Sequence, residues 1–282
     1  MNPPLLTADV WQTIQRARAQ GASFLDVSLD LGRSQTPIHL LEHGGWRVGE
    51  HHYPDLQRCK PRTVYYWNTA AENGGMFESA QRFDGALIKL IPTEWGAPTF
   101  EIDGIKMLPT ARTSPFDDAR RKVDLIQPRG KRILDTCGGL GYFARNALDG
   151  NASHILSFEK SASVLWLRSL NPWSPIATQY PQRLTLRHDD ISTRIHALPS
   201  ASVDAILHDP PRFGIAGELY AQTFYDQLAR VLIPGGKLFH YTGSPNKLTS
   251  GRNLPMEVSK RLQNAGFTTQ LAMDGVLAQR HR

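Results

Sequence analysis

Ile133-Leu134-Asp135-Thr136-Cys137-Gly138-Gly139-Leu140-Gly141-Tyr142 is the stretch on which the fold turns. An apolar run ends on a carboxylate and passes into a glycine-rich turn, and a helical pattern continues through Leu148. Strand, tight turn and helix in that order open a unit in which the next strand returns parallel to the first. Glycine at the turn permits positive φ and removes the β-carbon that would block a molecule lying across it.

Downstream the rhythm repeats. HILSFE, a helix around Ala162 to Ser169, RLTLRHD, VDAILHD, a helix from Gly217 to Leu232 and GKLFHYT alternate in turn. Such alternation predicts an α/β fold with a mostly parallel, doubly wound sheet covered on both faces. The tail reads as a helix over Pro255 to Ala265 and a closing hairpin, FTTQLAM and GVLAQR. Upstream, Ala8 to Gln20 has helical spacing with Thr7 as cap. From Ser23 to Thr110 short β-prone runs alternate with turn residues, and Asp103-Gly104 is a hairpin signal. Ser114-Pro115 starts a connecting helix that Pro128 and Gly130 end. The predicted organisation is a β-rich N-terminal domain over residues 1–112, a linking helix over 113–131 and a ligand-binding domain over 132–282.

Length and charge bound the function. With 282 residues the chain buries a full core without staples, and its only cysteines, Cys59 and Cys137, sit in unrelated contexts with no metal-ligand spacing. No metal is expected, and a reducing compartment is. The opening MNPPLLTADV lacks the basic start and apolar run of a secretory signal, and no stretch approaches the ~20 apolar residues of a membrane span. A cytoplasmic protein is expected. The net charge of +6 tilts toward a polyanionic partner.

Chemistry enters at the strand ends. Glu159 lies 159 − 139 = 20 residues past Gly139 and ends the second strand, where a carboxylate can accept from ribose hydroxyls. Gly139, Gly141 and Ala144 also satisfy G-x-G-x-x-A, the dinucleotide pattern. Asp135 argues for S-adenosyl-L-methionine instead, because a carboxylate before the turn repels a pyrophosphate and attracts an ammonium and a sulfonium. Past the third strand Asp190 can reach an adenine amino group, or both it and Asp189 cap the following turn. Cys137 fits better as a small packing residue than as a nucleophile.

The fourth strand opens into Asp209-Pro210-Pro211-Arg212-Phe213. Two prolines stiffen the backbone just past the strand's carboxyl end, where an open α/β sheet binds ligands. A carboxylate there can accept from an acceptor N–H, and a proline carbonyl can accept a second bond, aligning a nitrogen lone pair on a methyl donor. His208 and His240 end neighbouring strands, and each reads either as a general base or as a satisfied buried histidine. Tyr241, Phe213 and Tyr142 could wall the acceptor pocket.

These residues carry a resemblance. LDTCGGLGY, FEK, HDPPRF and FHYTG resemble the class I, Rossmann-like S-adenosylmethionine-dependent methyltransferases from Arg132 onward. With VSLDLG, LNPWS and AGELYAQTFYDQLARVL added, nearly the whole chain is similar to a group of predicted archaeal-type methyltransferases. The resemblance implies that Asp135, Gly139 and Gly141 line the methionine part of the cofactor, with Cys137, Gly138 and Tyr142 also among the cofactor-binding residues. It further implies Glu159 at the ribose and Asp190 at the adenine, with Lys160, Ile191 and Asp209 also among the cofactor-binding residues. Asp209, Pro210 and Pro211 match the Asp/Asn-Pro-Pro-aromatic motif of enzymes that methylate amino groups of nucleobases. Arg212 replaces its aromatic, so Phe213 or the arginine plane would have to stack on a base. The implied acceptor is a nucleobase amino nitrogen in RNA, with Arg58, Lys60 and Arg62 gripping phosphates. The alternative is a small-molecule acceptor, by methyl transfer or by aminopropyl transfer as in spermidine synthases, which also carry a β-rich N-terminal domain.

Overall fold

The computed structural model describes residues 3–71, 74–243 and 253–282. Two compact units divide the chain: Met1–Pro115 with Trp166–Trp173, and Phe116–Leu165 with Ser174–Arg282.

The first unit opens with β1 (Leu5–Leu6) and α1 (Ala8–Ala19), which Thr7 caps by accepting from Val10 N and which buries Trp11 and Ile14. The strands β2 (Phe24–Val27), β3 (Thr36–Leu40), β4 (Trp46–Val48), β5 (His51–Tyr53), β6 (Tyr65–Asn68), β7 (Met76–Ser79), β8 (Gln81–Phe83), β9 (Leu87–Ile91), β10 (Thr99–Ile102) and β11 (Ile105–Lys106) follow. They form small sheets in the orders β1-β6-β7, β2-β3-β4-β5 and β11-β10-β9-β8. Asp103 and Gly104 both take positive φ between the paired residues Ile102 and Ile105, so the expected hairpin closes in the two-residue primed form. Trp46, fully buried, stacks on Tyr53 at 4.6 Å and anchors an aromatic core with Ile14 and Ile38.

The second unit begins with α2 (Pro115–Leu125) and continues β12 (Arg132–Asp135), α3 (Tyr142–Asp149), β13 (His154–Glu159), α4 (Ala162–Leu170), β14 (Leu184–His188), α5 (Ile191–Arg194), β15 (Val203–His208), α6 (Gln222–Val231), β16 (Leu232–Tyr241), α7 (Leu254–Asn264), β17 (Phe267–Ala272) and β18 (Gly275–Arg280). The sheet order is β14-β13-β12-β15-β16-β18-β17, parallel through β16 and antiparallel in the closing hairpin. Val203, Ala205, Ile206 and Leu207 are all buried, the near-continuous apolar run of a strand covered on both faces.

One expected helix changes. The helix read over Gly217 to Leu232 is a short 3-10 turn, Gly217–Tyr220, followed by α6, with Ala221 extended between them. Tyr220 forces the break: its hydroxyl donates to Pro211 O and its own carbonyl accepts from Arg261. Of the stretch 113–131, read as a linking helix, residues 116–131 group with the second unit. Lys122, Val123 and Ile126 are each buried to 2% exposure or less, with Phe116 against Tyr142 of α3 and Lys122 over the Tyr241 ring. Trp166–Trp173, inside the span read as the ligand-binding domain, groups instead with the first unit. There Arg82 stacks 3.8 Å over the Trp166 ring and Trp173 donates to Leu31 O.

Candidate active site

The chain runs from β12 outward to β14 and returns to β15 on the other side of β12, so β12 and β15 flank the point where strand order reverses. Their carboxyl ends form the crevice that such sheets offer to ligands. Gly139 and Gly141 have φ of 48° and 81°, and Gly141 occupies the cap position of α3 in the left-handed conformation. A β-carbon at either would strain the turn. Gly138 N donates to Phe158 O at 2.7 Å, tying the turn to the next strand.

Glu159 locks this arrangement. One oxygen accepts from Gly139 N and the other from Ser161 N, both at 2.9 Å, so its plane is fixed between the glycine turn and the start of α4. Asp135 is fully buried and accepts from Ser157 Oγ at 2.8 Å. Its carboxylate lies behind the turn, at the carboxyl end of β12. Cys137 is half-buried among the charges of Glu159, Asp135 and Asp209, and burial first, then those carboxylates, push its thiol well above the usual range. Tyr142 is buried in α3 against Phe116. At the rim, Asp190 caps α5 by accepting from Ser192 N at 2.8 Å, and Lys160 lies 3.8 Å from Asp190 and 3.6 Å from Glu218. Ile191 is buried in the core of the unit.

Asp209 follows β15 directly and is half-buried. Burial pushes its carboxyl up to about 7, against the field of Lys122 and reinforced by Asp118 and Asp135. Pro210 is buried, and the Pro211 carbonyl receives the Tyr220 hydroxyl at 3.0 Å, so the second acceptor expected there already has a partner. Arg212 is exposed, and Phe213, 39% exposed, meets the Tyr220 ring edge to face at 5.5 Å.

His208 and His240 are fully buried with ring centroids 4.4 Å apart. His208 Nε2 donates to Leu219 O at 3.1 Å while Nδ1 meets the Thr136 hydroxyl at 2.6 Å. His240 Nδ1 donates to Tyr241 O at 2.9 Å and Nε2 accepts from the Tyr225 hydroxyl at 3.0 Å. Burial pushes His208 down to about 4 and His240 well below its usual value. All four ring nitrogens are committed internally. Of the two readings open in the sequence, the geometry fits satisfied core histidines and corrects the general-base alternative.

The sequence did not single out α2 as part of the site. Lys122 is 2% exposed, pairs with Asp118 at 2.5 Å and lies 3.5 Å over the Tyr241 ring. Parallel pairing of His208 with His240 sets Asp209 and Tyr241 side by side at the strand ends. Burial and the Asp209 charge raise the Tyr220 and Tyr241 hydroxyls above the tyrosine range, so both stay protonated. Asp-Asp-Ala-Arg-Arg-Lys reads as a solvated run, which is why periodicity alone hid Lys122. Among the described residues no group of three or more His, Cys, Asp or Glu could hold a metal, and no helix is long and apolar enough to cross a membrane.

No model of a known protein family matches the chain. Its fold is the Rossmann-like class I fold. It is similar to a spermidine synthase solved with the transition-state analogue AdoDATO, with TM-score 0.56, 15% identity, and coverage of 74% of this chain and 77% of that one. The spermidine synthase of Thermotoga maritima gives TM-score 0.54 and 17% identity over 77% and 79%. In sequence, the chain is 37% identical over 215 residues to the uncharacterized protein MJ1233 of Methanocaldococcus jannaschii, covering 75% of this chain and 73% of that protein. The chain belongs to the family of that protein. A shorter stretch of 118 residues is 30% identical to polyamine aminopropyltransferase 2 of Streptomyces coelicolor, covering 40% of this chain and 21% of that protein.

Proposed function

We propose that this protein is an S-adenosyl-L-methionine-dependent methyltransferase acting on an amino nitrogen, with a nucleobase in RNA as the acceptor class. The observation that carries the reading is Asp209, a half-buried carboxyl pushed up to about 7 at the strand end beside the glycine turn. The donor set fits the cofactor. Glu159 and Asp209, with Asp135 behind the turn, favour a sulfonium and an ammonium and repel the pyrophosphate of a dinucleotide. The sulfonium, when bound, supplies an activated methyl carbon.

The chain's own residues supply placement. Glu159, held rigid by two backbone N–H groups, offers its oxygens to ribose hydroxyls. Asp209 accepts from the acceptor's N–H, aims the lone pair and takes the proton the nitrogen sheds once it has gained the methyl carbon. A carboxyl titrating near neutrality can do both. Phe213 is the exposed aromatic available to stack on a base, in place of the residue that Arg212 replaces. In the N-terminal unit Arg58, Lys60 and Arg62 offer phosphate contacts, although Arg62 is partly engaged by Glu101.

Aminopropyl transfer is the second reading, favoured by the spermidine synthase likeness over about three quarters of the chain. Titration calorimetry with S-adenosyl-L-methionine, decarboxylated S-adenosyl-L-methionine and NAD separates these readings. The proposal expects the first to bind, and labelled methyl to pass to bulk RNA but not to putrescine, falling steeply with salt. Asp209→Asn should weaken donor binding only in part and lose transfer. Preference for the decarboxylated donor with putrescine as acceptor would establish the second reading, and binding of NAD alone would sink both.

A further inference from the structure

We propose that Lys122 is a positioning residue for this transfer, the buried cation that gives Asp209 its counter-charge and holds Tyr241 beside it. The inference rests on the transfer reading above. Its ammonium is 2% exposed, caught between Asp118 at 2.5 Å and the Tyr241 ring face at 3.5 Å, with Phe143 at 5.9 Å. A lysine withdrawn so fully from water, where one salt bridge to a helix neighbour could have formed at the surface, is an expensive arrangement for structure alone. Because the His208–His240 pairing makes Tyr241 the neighbour of Asp209, an ammonium over the Tyr241 ring is a positive charge on the Asp209 side of the crevice.

The groups that face Asp209 are Lys122 and Asp118 from α2, Asp135 from β12, Cys137 from the glycine turn, Tyr220 from the 3-10 turn and Tyr241 from β16. Cys137, Tyr220 and Tyr241 are neutral, so the local field is two carboxylates against one ammonium. Without Lys122 the Asp209 carboxyl would stay protonated at neutral pH, still able to accept from an N–H through its carbonyl oxygen but unable to take up a proton. Asp118 has the opposite influence, since it shares the ammonium and adds like charge.

Opposed influences give a test needing neither donor nor acceptor. The γ-carboxyl of Asp209 is followed by carbon NMR in aspartate-labelled protein, with Asp209→Asn assigning the resonance. Lys122→Met should raise the midpoint by about one pH unit, tenfold in proton affinity, and Lys122→Arg should hold it near the wild-type value. Asp118→Asn should lower it, and it decides the matter if the methionine variant does not fold. A midpoint that stays put in folded Lys122→Met, or in Asp118→Asn, overturns the proposal. Titration of the same proteins with S-adenosyl-L-methionine keeps the two ideas apart: absent binding to wild type defeats the transfer reading and leaves the Asp209 midpoints standing.

Discussion

Replacing Asp209 by asparagine should stabilise this protein, and increasingly so as the pH rises. Asparagine keeps the shape and removes the charge, so the comparison isolates ionisation. In the unfolded chain the carboxyl titrates near 3.8, and in the folded protein burial moves it to about 7. Between those values the folded state binds more protons than the unfolded one, so wild-type stability falls as pH rises, opposite to a carboxylate in a salt bridge. The difference of 7 − 3.8 = 3.2 units, at ~1.4 kcal/mol each, sets a ceiling of about 4 kcal/mol above pH 7. Solvent still reaches Asp209, and that screening brings the expected gain to about 2–4 kcal/mol. Urea unfolding of both proteins at pH 5 and pH 8 reads the effect. The asparagine advantage should be about 1 kcal/mol at pH 5, which lies 5 − 3.8 = 1.2 units above the unfolded value, and grow by roughly 2 kcal/mol at pH 8. An advantage that does not change with pH, or a variant weaker at both values, would refute the claim that the fold strains to hold this charge.

Three further predictions concern the surrounding frame. His208, pushed down to about 4 from 6.5, binds its proton more readily unfolded, so its contribution of about 3 kcal/mol is lost as pH falls from 6.5 toward 4. Both buried histidine rings should show neutral-imidazole shifts down to pH 5, and a midpoint near 6.5 would contradict the burial argument. Glu159→Gln leaves either Gly139 N or Ser161 N facing an amide NH2, costing about 1–3 kcal/mol and loosening the turn. Calorimetry should show donor affinity reduced at least about tenfold, and an unchanged affinity would remove Glu159 from the cofactor site. Gly275→Ala puts a β-carbon 2.3 Å from His240 O and 2.9 Å from Phe239 Cζ, and should cost about 2–3 kcal/mol in thermal melting. Gly217→Ala, with nothing within 4 Å, is its neutral control.

Sequence by itself determined what local physics governs. The apolar run into LDTCGGLGY fixed the strand, the turn and α3, because glycine takes the positive φ values found at Gly139 and Gly141 at the least cost. Asp103-Gly104 fixed a hairpin, and the alternation after Arg132 fixed the parallel sheet for the same kind of reason. Glu159 at the end of β13 was legible because a strand end sits at a set distance from the turn it follows. Tertiary structure alone decided the rest. Whether His208 and His240 titrate depended on Thr136, Leu219 and Tyr225, which lie up to 72 residues away along the chain. Lys122, in a run of charges, became a buried cation only when α2 packed beside the strand ends, and the helical pattern could not show which of its neighbours would face the sheet. Burial is a property of the assembled layers, and it is burial that moves the protons of Asp209 and both histidines.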